Sequence, residues 1–136
     1  MTDINAAISA AASGMRAQTT RMRIAAENIA NANSTADGPH GTPFRRRIPL
    51  LESTMLASGA DGVRVKGATY DMSSFRREYN PSHPAAGPDG YVELPNVDPL
   101  VEMMDIRDAS RAYEANLNMI EAARTMTSHA LDLLRK

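Results

Sequence analysis

The chain has 136 residues, of which 43% are hydrophobic, and its formal net charge is −1. This length fits one domain, and the balanced charge gives no general attraction to nucleic acid or anionic membrane. The absence of cysteine excludes disulfides, thiolate metal sites and cysteine nucleophiles, and no stretch reaches the roughly 18 continuous apolar residues of a membrane span.

Residues 3–32 are predicted to form a long helix. Its small and apolar residues recur at alternating steps of four and three, the heptad spacing of a coiled-coil seam. The series is Ile4, Ile8, Ala11, Met15, Gln18, Met22, Ala25, Ile29 and Ala32. Asn28, Asn31 and Asn33 are expected to end this helix, because asparagine is a weak helix former that tolerates left-handed backbone. We therefore assign residues 1–33 to a first helical segment.

The first residues do not resemble a cleaved signal peptide. Met1-Thr2-Asp3 is acidic where a signal peptide is basic, and the alanine-rich stretch that follows leads into Arg16, Arg21 and Arg23. Two interpretations remain open at this point. The chain is either a cytoplasmic protein or one exported by a route that uses no cleaved signal.

Residues 34–97 have a different composition and are predicted to form an irregular or β-hairpin middle segment. They hold seven of the eight prolines and seven of the eight glycines. Turn dipeptides separate short stretches with strand character, as expected for hairpins. The strand candidates are residues 44–51, 62–70, 75–79 and 91–94. Such a segment is too short and polar for a large core of its own, so we expect it to lean on the helices or on neighbouring subunits.

Residues 98–136 are predicted to form the longest helix. Asp98 is a suitable N-cap, and Pro99 occupies the first helical position, where a missing N–H costs nothing. One apolar stripe comprises Ile106, Ala109, Tyr113, Leu117, Ile120, Leu131 and Leu134. A neighbouring stripe comprises Ala112, Met119, Ala123, Met126, Ala130 and Leu133.

Two stripes on one helix allow two arrangements. A helix of a small globular protein usually has a single apolar stripe, so this helix is either central in a bundle or packed against copies of itself. In a monomer, the seams of the two long helices could cover each other in an antiparallel hairpin. That hairpin would still leave the second stripe uncovered.

The sequence contains no constellation that indicates catalysis or a cofactor. Its three histidines are not paired at the spacing of metal ligands, and neither a phosphate-binding glycine loop nor a nucleophile elbow occurs. Glu102 and Asp105 are followed at once by arginines and are interpreted as a solvated or inter-subunit face. The run Arg45-Arg46-Arg47 lacks the wide basic surface and stacking aromatics of a nucleic-acid site, so we interpret it as a contact with a protein partner.

Several stretches together resemble a known family. Residues 28–33, Asn-Ile-Ala-Asn-Ala-Asn, and residues 41–46 resemble the N-terminal signature of bacterial flagellar axial proteins, the subunits of rod and hook. Residues 78–84, 89–92 and 95–97 are similar to the proximal rod members of that family. Residues 101–105 and 109–116 match the C-terminal helix. The motif positions are Asn28, Asn31, Asn33, Pro81, His83, Pro84, Pro95, Asn96, Ser110, Arg111, Tyr113 and Asn116.

The resemblance implies a non-enzymatic subunit of the periplasmic rod that transmits torque and surrounds the export channel. It implies a mainly α fold, in which the terminal helices form a coiled-coil layer and the small middle segment lies outside. Expected partners are copies of the chain, other rod proteins, the base of the rod at the export gate and MS ring, and the flagellar type III export apparatus. No cofactor, metal, nucleic acid or small-molecule substrate is expected.

The residues expected to pack between helices or subunits are apolar, and a smaller polar set is expected at subunit contacts. The apolar set is Ile8, Met15, Met22, Ile29, Ile106, Tyr113, Leu117, Ile120, Leu131 and Leu134. The polar set is Arg45, Arg46, Arg111 and Glu114. Two alternatives remain: a helical adaptor that binds a partner helix in a groove, and a small enzyme with an unrecognised site.

Overall fold

The computed structural model describes residues 2–135 as two long helices separated by two β-hairpins. The elements are α1 (Thr2–Ala30), β1 (Arg47–Met55), β2 (Asp61–Tyr70), β3 (Arg76–Tyr79), β4 (Tyr91–Leu94) and α2 (Pro99–Leu134). Met1 and Lys136, which the sequence assigned to the helical segments, lie outside the described residues. Neither helix has the length and apolarity needed to cross a membrane.

The expectation of a mainly α fold with a small middle segment is wrong. Helices account for 48% of the chain and strands for 20%, the latter in two antiparallel sheets, so the fold mixes both classes. The first hairpin is longer than predicted, because β1 continues to Met55 and pairs with β2 from Arg47↔Tyr70 to Met55↔Asp61. A tight turn makes this possible: the Leu56 N–H donates to the Ala60 carbonyl at 2.9 Å, and Gly59 adopts a φ of 82°.

Helices α1 and α2 pack antiparallel through small side chains. Asn28 lies opposite Glu102, and Gly14 lies opposite Asn116, so the register is constant along the pair. Ala109 and Ala123 are buried on the side of α2 that faces α1. Small residues at these positions allow the helix axes to approach closely. Within residues 2–135, α2 packs against no other helix or strand.

The first hairpin rests on the other side of α1. The Ser13 hydroxyl accepts from the Val63 N–H at 3.1 Å, and Ala17 and Ile24 are buried beneath the strands. The hairpin, α1 and α2 therefore form three successive layers, with α1 in the centre. One face of α2 is covered and the rest is exposed.

The close approach at Gly14 can be tested by overpacking. A Cβ at Gly14 would lie 2.6 Å from Asn116 Nδ2. We expect Gly14→Leu to lower the free energy of unfolding by about 1–3 kcal/mol. The higher helix propensity of leucine does not offset the energetic cost of displacing α2 from α1. Thermal unfolding followed by circular dichroism measures the effect.

Ala26→Leu is the matched control, since Ala26 is an exposed residue of the same helix. Its stability should stay within about 0.5 kcal/mol of the native chain. A Gly14→Leu chain as stable as the control would contradict the close packing of α1 on α2.

Candidate functional site

A buried polar cluster joins the end of α1, the middle segment and the start of α2. Asn28 and Glu102 are each only 1% exposed. Asn28 Nδ2 donates to Glu102 Oε2 at 3.2 Å, and the Arg46 guanidinium donates through Nε to the other carboxylate oxygen of Glu102. We call Asn28, Arg46 and Glu102 the junction. A buried carboxylate is tolerated only when it is paired and hydrogen-bonded, and both conditions hold for Glu102.

Asn28 also fixes the start of β1. Its Oδ1 accepts from the Arg47 N–H at 3.0 Å, and its Nδ2 donates to the Arg47 carbonyl at 2.9 Å. These two hydrogen bonds pair the backbone N–H and carbonyl of Arg47, as a neighbouring β-strand would. A single α1 side chain thus holds both the first strand and the first turn of α2.

Arg46 extends the junction to three acidic residues. Besides Glu102, its guanidinium reaches Asp71 at 3.4 Å and Asp105 at 3.3 Å. Burial alone would lower the pKa of Arg46, but its hydrogen bonds to Glu102 and Asp71 and the charges of Glu102 and Asp105 raise the pKa above its usual value. The Arg46 backbone N–H donates to Asn96 Oδ1 at 2.8 Å. No buried side-chain nitrogen or oxygen in the described part of the chain lacks a hydrogen-bond partner.

The motif residues lie at several places in the fold. Asn28 and Asn96 join the junction network, and Asn96 Nδ2 also donates to the Asp71 carbonyl at 2.8 Å. The buried Pro95 accepts from Arg76 through its carbonyl. Asn31 donates to the Glu27 carbonyl at the end of α1, and Asn116 contacts Gly14. The remaining members are outside the network: Asn33, Pro81, Pro84 and Arg111 are exposed, and His83, Ser110 and Tyr113 are half-buried.

The residues predicted to pack between helices fall into two groups. Half-buried along the α1–α2 pair are Ile8, Met15, Met22, Ile29, Ile106, Tyr113 and Ile120. Leu117 is 38% exposed, Leu131 is more exposed than Leu117, and Leu134 more than Leu131. Residues 2–135 cover this second group only in part, and its role between subunits stays a prediction.

The polar residues predicted at subunit contacts are used differently. Arg46 forms its ion pairs inside the chain, and its role at a subunit contact stays a prediction. Arg45 donates to the carbonyls of Asp71 and Ser73 and stacks on the Phe75 ring with its guanidinium carbon 4.2 Å from the centroid. Within residues 2–135, Arg111 and Glu114 form no ion pair.

Glu102 is the residue whose role the sequence interpretation missed. Its interpretation as part of a solvated or inter-subunit salt-bridged face is wrong, because Glu102 is buried in the junction within this chain. A signal was present, because Glu102 precedes Ile106, Ala109 and Tyr113 at steps of four, three and four and so continues the seam. A carboxylate at a seam position indicates a buried polar contact.

The junction predicts a strong effect of neutralising Glu102. Glu102→Gln leaves the Arg46 charge without its most buried partner, and we expect the free energy of unfolding to fall by about 3 kcal/mol. Chemical denaturation at neutral pH measures this. Glu52→Gln, which breaks the exposed pair with Arg64, is the control and should change stability by less than about 1 kcal/mol. Equal effects of the two substitutions would contradict the role of the junction.

Asp71 gives the junction a dependence on pH. Hydrogen bonds from the Ser73 backbone and hydroxyl, together with Arg46, hold the pKa of Asp71 below its usual value of 3.8. Such a carboxyl stabilises the fold above its unfolded pKa, and this contribution is lost as the pH falls through the folded pKa. The native chain should therefore have a larger free energy of unfolding than the Asp71→Asn variant at pH 7, and this difference should shrink below about pH 4. A difference that is constant or grows in acid would contradict this sign.

The comparisons with known proteins agree with one another. A model of the C-terminal region of the flagellar basal body rod FlgEFG proteins matches residues 89–133. The flagellar basal-body rod protein FlgC of Agrobacterium fabrum is 43% identical over 136 residues, covering 99% of this chain and 98% of its own length. FlgC of Bacillus subtilis is 37% identical over 142 residues, with 93% and 95% covered. FlgC of Aquifex aeolicus is 41% identical over 118 residues, with 86% and 87% covered. The chain therefore belongs to the FlgC family of flagellar basal-body rod proteins.

Proposed function

We propose that this chain is a rod subunit that packs against its neighbours through the helix faces that its own fold leaves exposed. The supporting observation is that α2 is covered by α1 along one side only, while large apolar residues are exposed in its first turns and from Leu117 to Leu134. Large apolar side chains grouped on the surface of a protein mark interaction sites. Membership of the FlgC family supports a structural role without catalysis.

Each part of the chain has a distinct role in this proposal. The helical segments, residues 1–33 and 98–136, form the core that packs into the wall of the rod. Residues 34–97 form an outer segment that meets neighbouring subunits. The junction fixes the angle between them, because Arg46 and Asn28 tie the middle segment to both helices. Torque would pass through many weak contacts between helices, and the junction would carry it to the outer segment.

The same family membership supports a set of proposed partners. We assign to the chain contacts with its own copies, with other rod proteins and with the base of the rod at the MS ring and export gate. Delivery by the flagellar type III export apparatus, without a cleaved signal, and a place in the periplasmic part of the rod belong to the same proposal. Arg111 and Glu114 are candidates for polar contacts between subunits, because both are exposed on α2.

Replacing Leu117 by aspartate tests the proposal. Leu117 is partly exposed and lies outside the buried α1–α2 contact, so the isolated chain should fold with unchanged helicity. A charge at a surface that becomes buried between subunits is costly, and we expect loss of rod assembly and motility in a strain that lacks the native gene. Export of the variant should continue.

Asn118→Asp is the matched control, because Asn118 is the next residue and is exposed on α2. This variant should support motility. Normal motility of the Leu117→Asp strain would contradict the packing role of this face. A stable dimer of the native chain at every concentration, with no place in the rod, would instead favour an adaptor.

A further inference from the structure

The first hairpin and α1 enclose a cavity between them. The base of the hairpin is fixed to α1 by the hydrogen bonds between Asn28 and the backbone of Arg47. Near the tip, the Val63 N–H donates to the Ser13 hydroxyl at 3.1 Å. Between these two attachments lies a cavity of about 490 Å³, which is lined by residues of both elements. Ligand sites in proteins commonly have such a volume.

Arginines dominate the charge of this cavity. Two arginines from each element line it, and no residue within 2–135 that lines it is acidic. We call these four residues the arginine cluster: Arg16 and Arg23 of α1, and Arg47 and Arg64 of the hairpin. A separation of seven residues places Arg16 and Arg23 on the same face of α1, about 10 Å apart along its axis. Cationic side chains therefore line both walls of a single space.

The acidic residues around the arginine cluster balance only part of its charge. Two carboxylates pair with three of the arginines, and Arg16 forms no ion pair within residues 2–135. The pairs are Arg23–Glu27 at 2.9 Å, Arg47–Glu27 at 3.1 Å and Arg64–Glu52. Four guanidinium groups against two carboxylates leave an excess of two positive charges at the cavity. A concave site with low-dielectric walls concentrates the field of such an excess and attracts anions.

The rest of the cavity lining suits an acidic side chain of a protein. Ala17 and Ile24 are buried beneath the strands, and Val65 is half-buried beside them, so part of the lining is apolar. Aspartate and glutamate combine a short aliphatic stem with a carboxylate, which the planar guanidinium group binds through two parallel hydrogen bonds. None of the lining residues within 2–135 is aromatic, so a nucleic-acid base would find no ring to stack on.

The ladder of the first hairpin is interrupted beside this cavity. Leu50 pairs with Gly67 and Leu51 pairs with Val65, so Lys66 is an extra residue of β2 without a partner in β1. Bulges of this kind are common next to binding sites. Val65 and Gly67, which flank the bulge, both line the cavity. A Cβ added at Gly67 would meet no atom of another segment within 4 Å, so the wall leaves room for an incoming side chain.

From these observations we propose that the cavity binds acidic side chains of a neighbouring protein subunit, which enter between α1 and the first hairpin and pair with the arginine cluster. This inference rests on the proposed function and names the chemistry of the partner at one contact of the middle segment. Carboxylates bound to both walls also hold the centre of the hairpin against α1, where the chain itself supplies few contacts.

Binding of a hexaglutamate peptide to the native chain tests the chemistry of the site. Arg16→Gln combined with Arg23→Gln removes two of the four guanidinium groups, and both positions are exposed, so the fold should be retained. We expect the dissociation constant measured by calorimetry at low ionic strength to rise about tenfold, because charge-assisted hydrogen bonds to the carboxylates are lost.

The matched control replaces Arg107 and Arg124 by glutamine, which removes the same charge from exposed positions of α2. This variant should bind hexaglutamate as the native chain does. Equal weakening by the two double substitutions would overturn the inference, because net charge alone would then account for binding. Inorganic phosphate is the second probe. Phosphate binding as tight as that of the peptide would assign the cavity to a small anion and overturn the protein occupant.

Carbodiimide crosslinking identifies the occupant in the assembled rod. The reagent joins an amine to a carboxylate in contact with it, and Lys66 and Lys136 are the only lysines of the chain. Arg16→Lys keeps the positive charge in the cavity and adds a reactive amine. In basal bodies that contain this variant, we expect residue 16 to be joined to an aspartate or glutamate of another polypeptide, which mass spectrometry locates.

Arg23→Lys is the positive control, because Glu27 lies one turn further along α1 and should be crosslinked within the chain. Basal bodies in which the control reacts, while residue 16 is joined to no other polypeptide, would overturn the inference. Absence of the chain from basal bodies would overturn the proposed function as well, so the two failures are distinguishable.

Discussion

The structure depends on the burial of one carboxylate. Glu102 is held by Arg46 and Asn28 at the point where α1 ends, α2 begins and the first strand starts. A buried ion pair contributes little net stability compared with an apolar contact of the same size, but it is strongly specific, because any other arrangement leaves a charge unpaired. Here the Arg46–Glu102 ion pair fixes both the register of α1 against α2 and the position of the middle segment. The middle segment has little core of its own, and it relies on this anchor and on its contact with α1.

The monomer by itself buries few large apolar side chains. The buried centre of the α1–α2 contact is made by small residues, with Gly14 opposite Asn116. Ile106, Tyr113 and Ile120 are half-buried along it, and the leucines and methionines of α2 are exposed. This division separates two tasks. Small residues and the junction define the shape of the subunit, while leucines and methionines remain available to neighbours. A rod subunit needs both a fixed shape and several exposed faces, since it must contact neighbours on different sides.

Much of the helical part follows from local signals in the sequence. Asp98 caps α2 as predicted, because its Oδ1 accepts from the Leu100 N–H at 3.0 Å, and Pro99 is the first helical residue. The strand of residues 91–94 is also found where alternation and turn residues predicted it. The family was identified from the resemblance of ordered motifs across nearly the whole chain. The first strand continues beyond the predicted residues 44–51 to Met55, because Met55 pairs with Asp61 across the turn of the hairpin, and no local pattern marks that pairing. Likewise, no local pattern pairs Asn28 with Glu102, which lies 74 residues further along the chain.

The most direct test of this account is an electron cryomicroscopy map of basal bodies from the bacterium that carries this chain. We expect the chain in the rod as an antiparallel helix pair, with Glu102 still bonded to Arg46 and Asn28, and with neighbouring helices packed on the exposed faces of α2. A rod in which α1 and α2 of one chain are apart, or in which those faces contact only solvent, would contradict it.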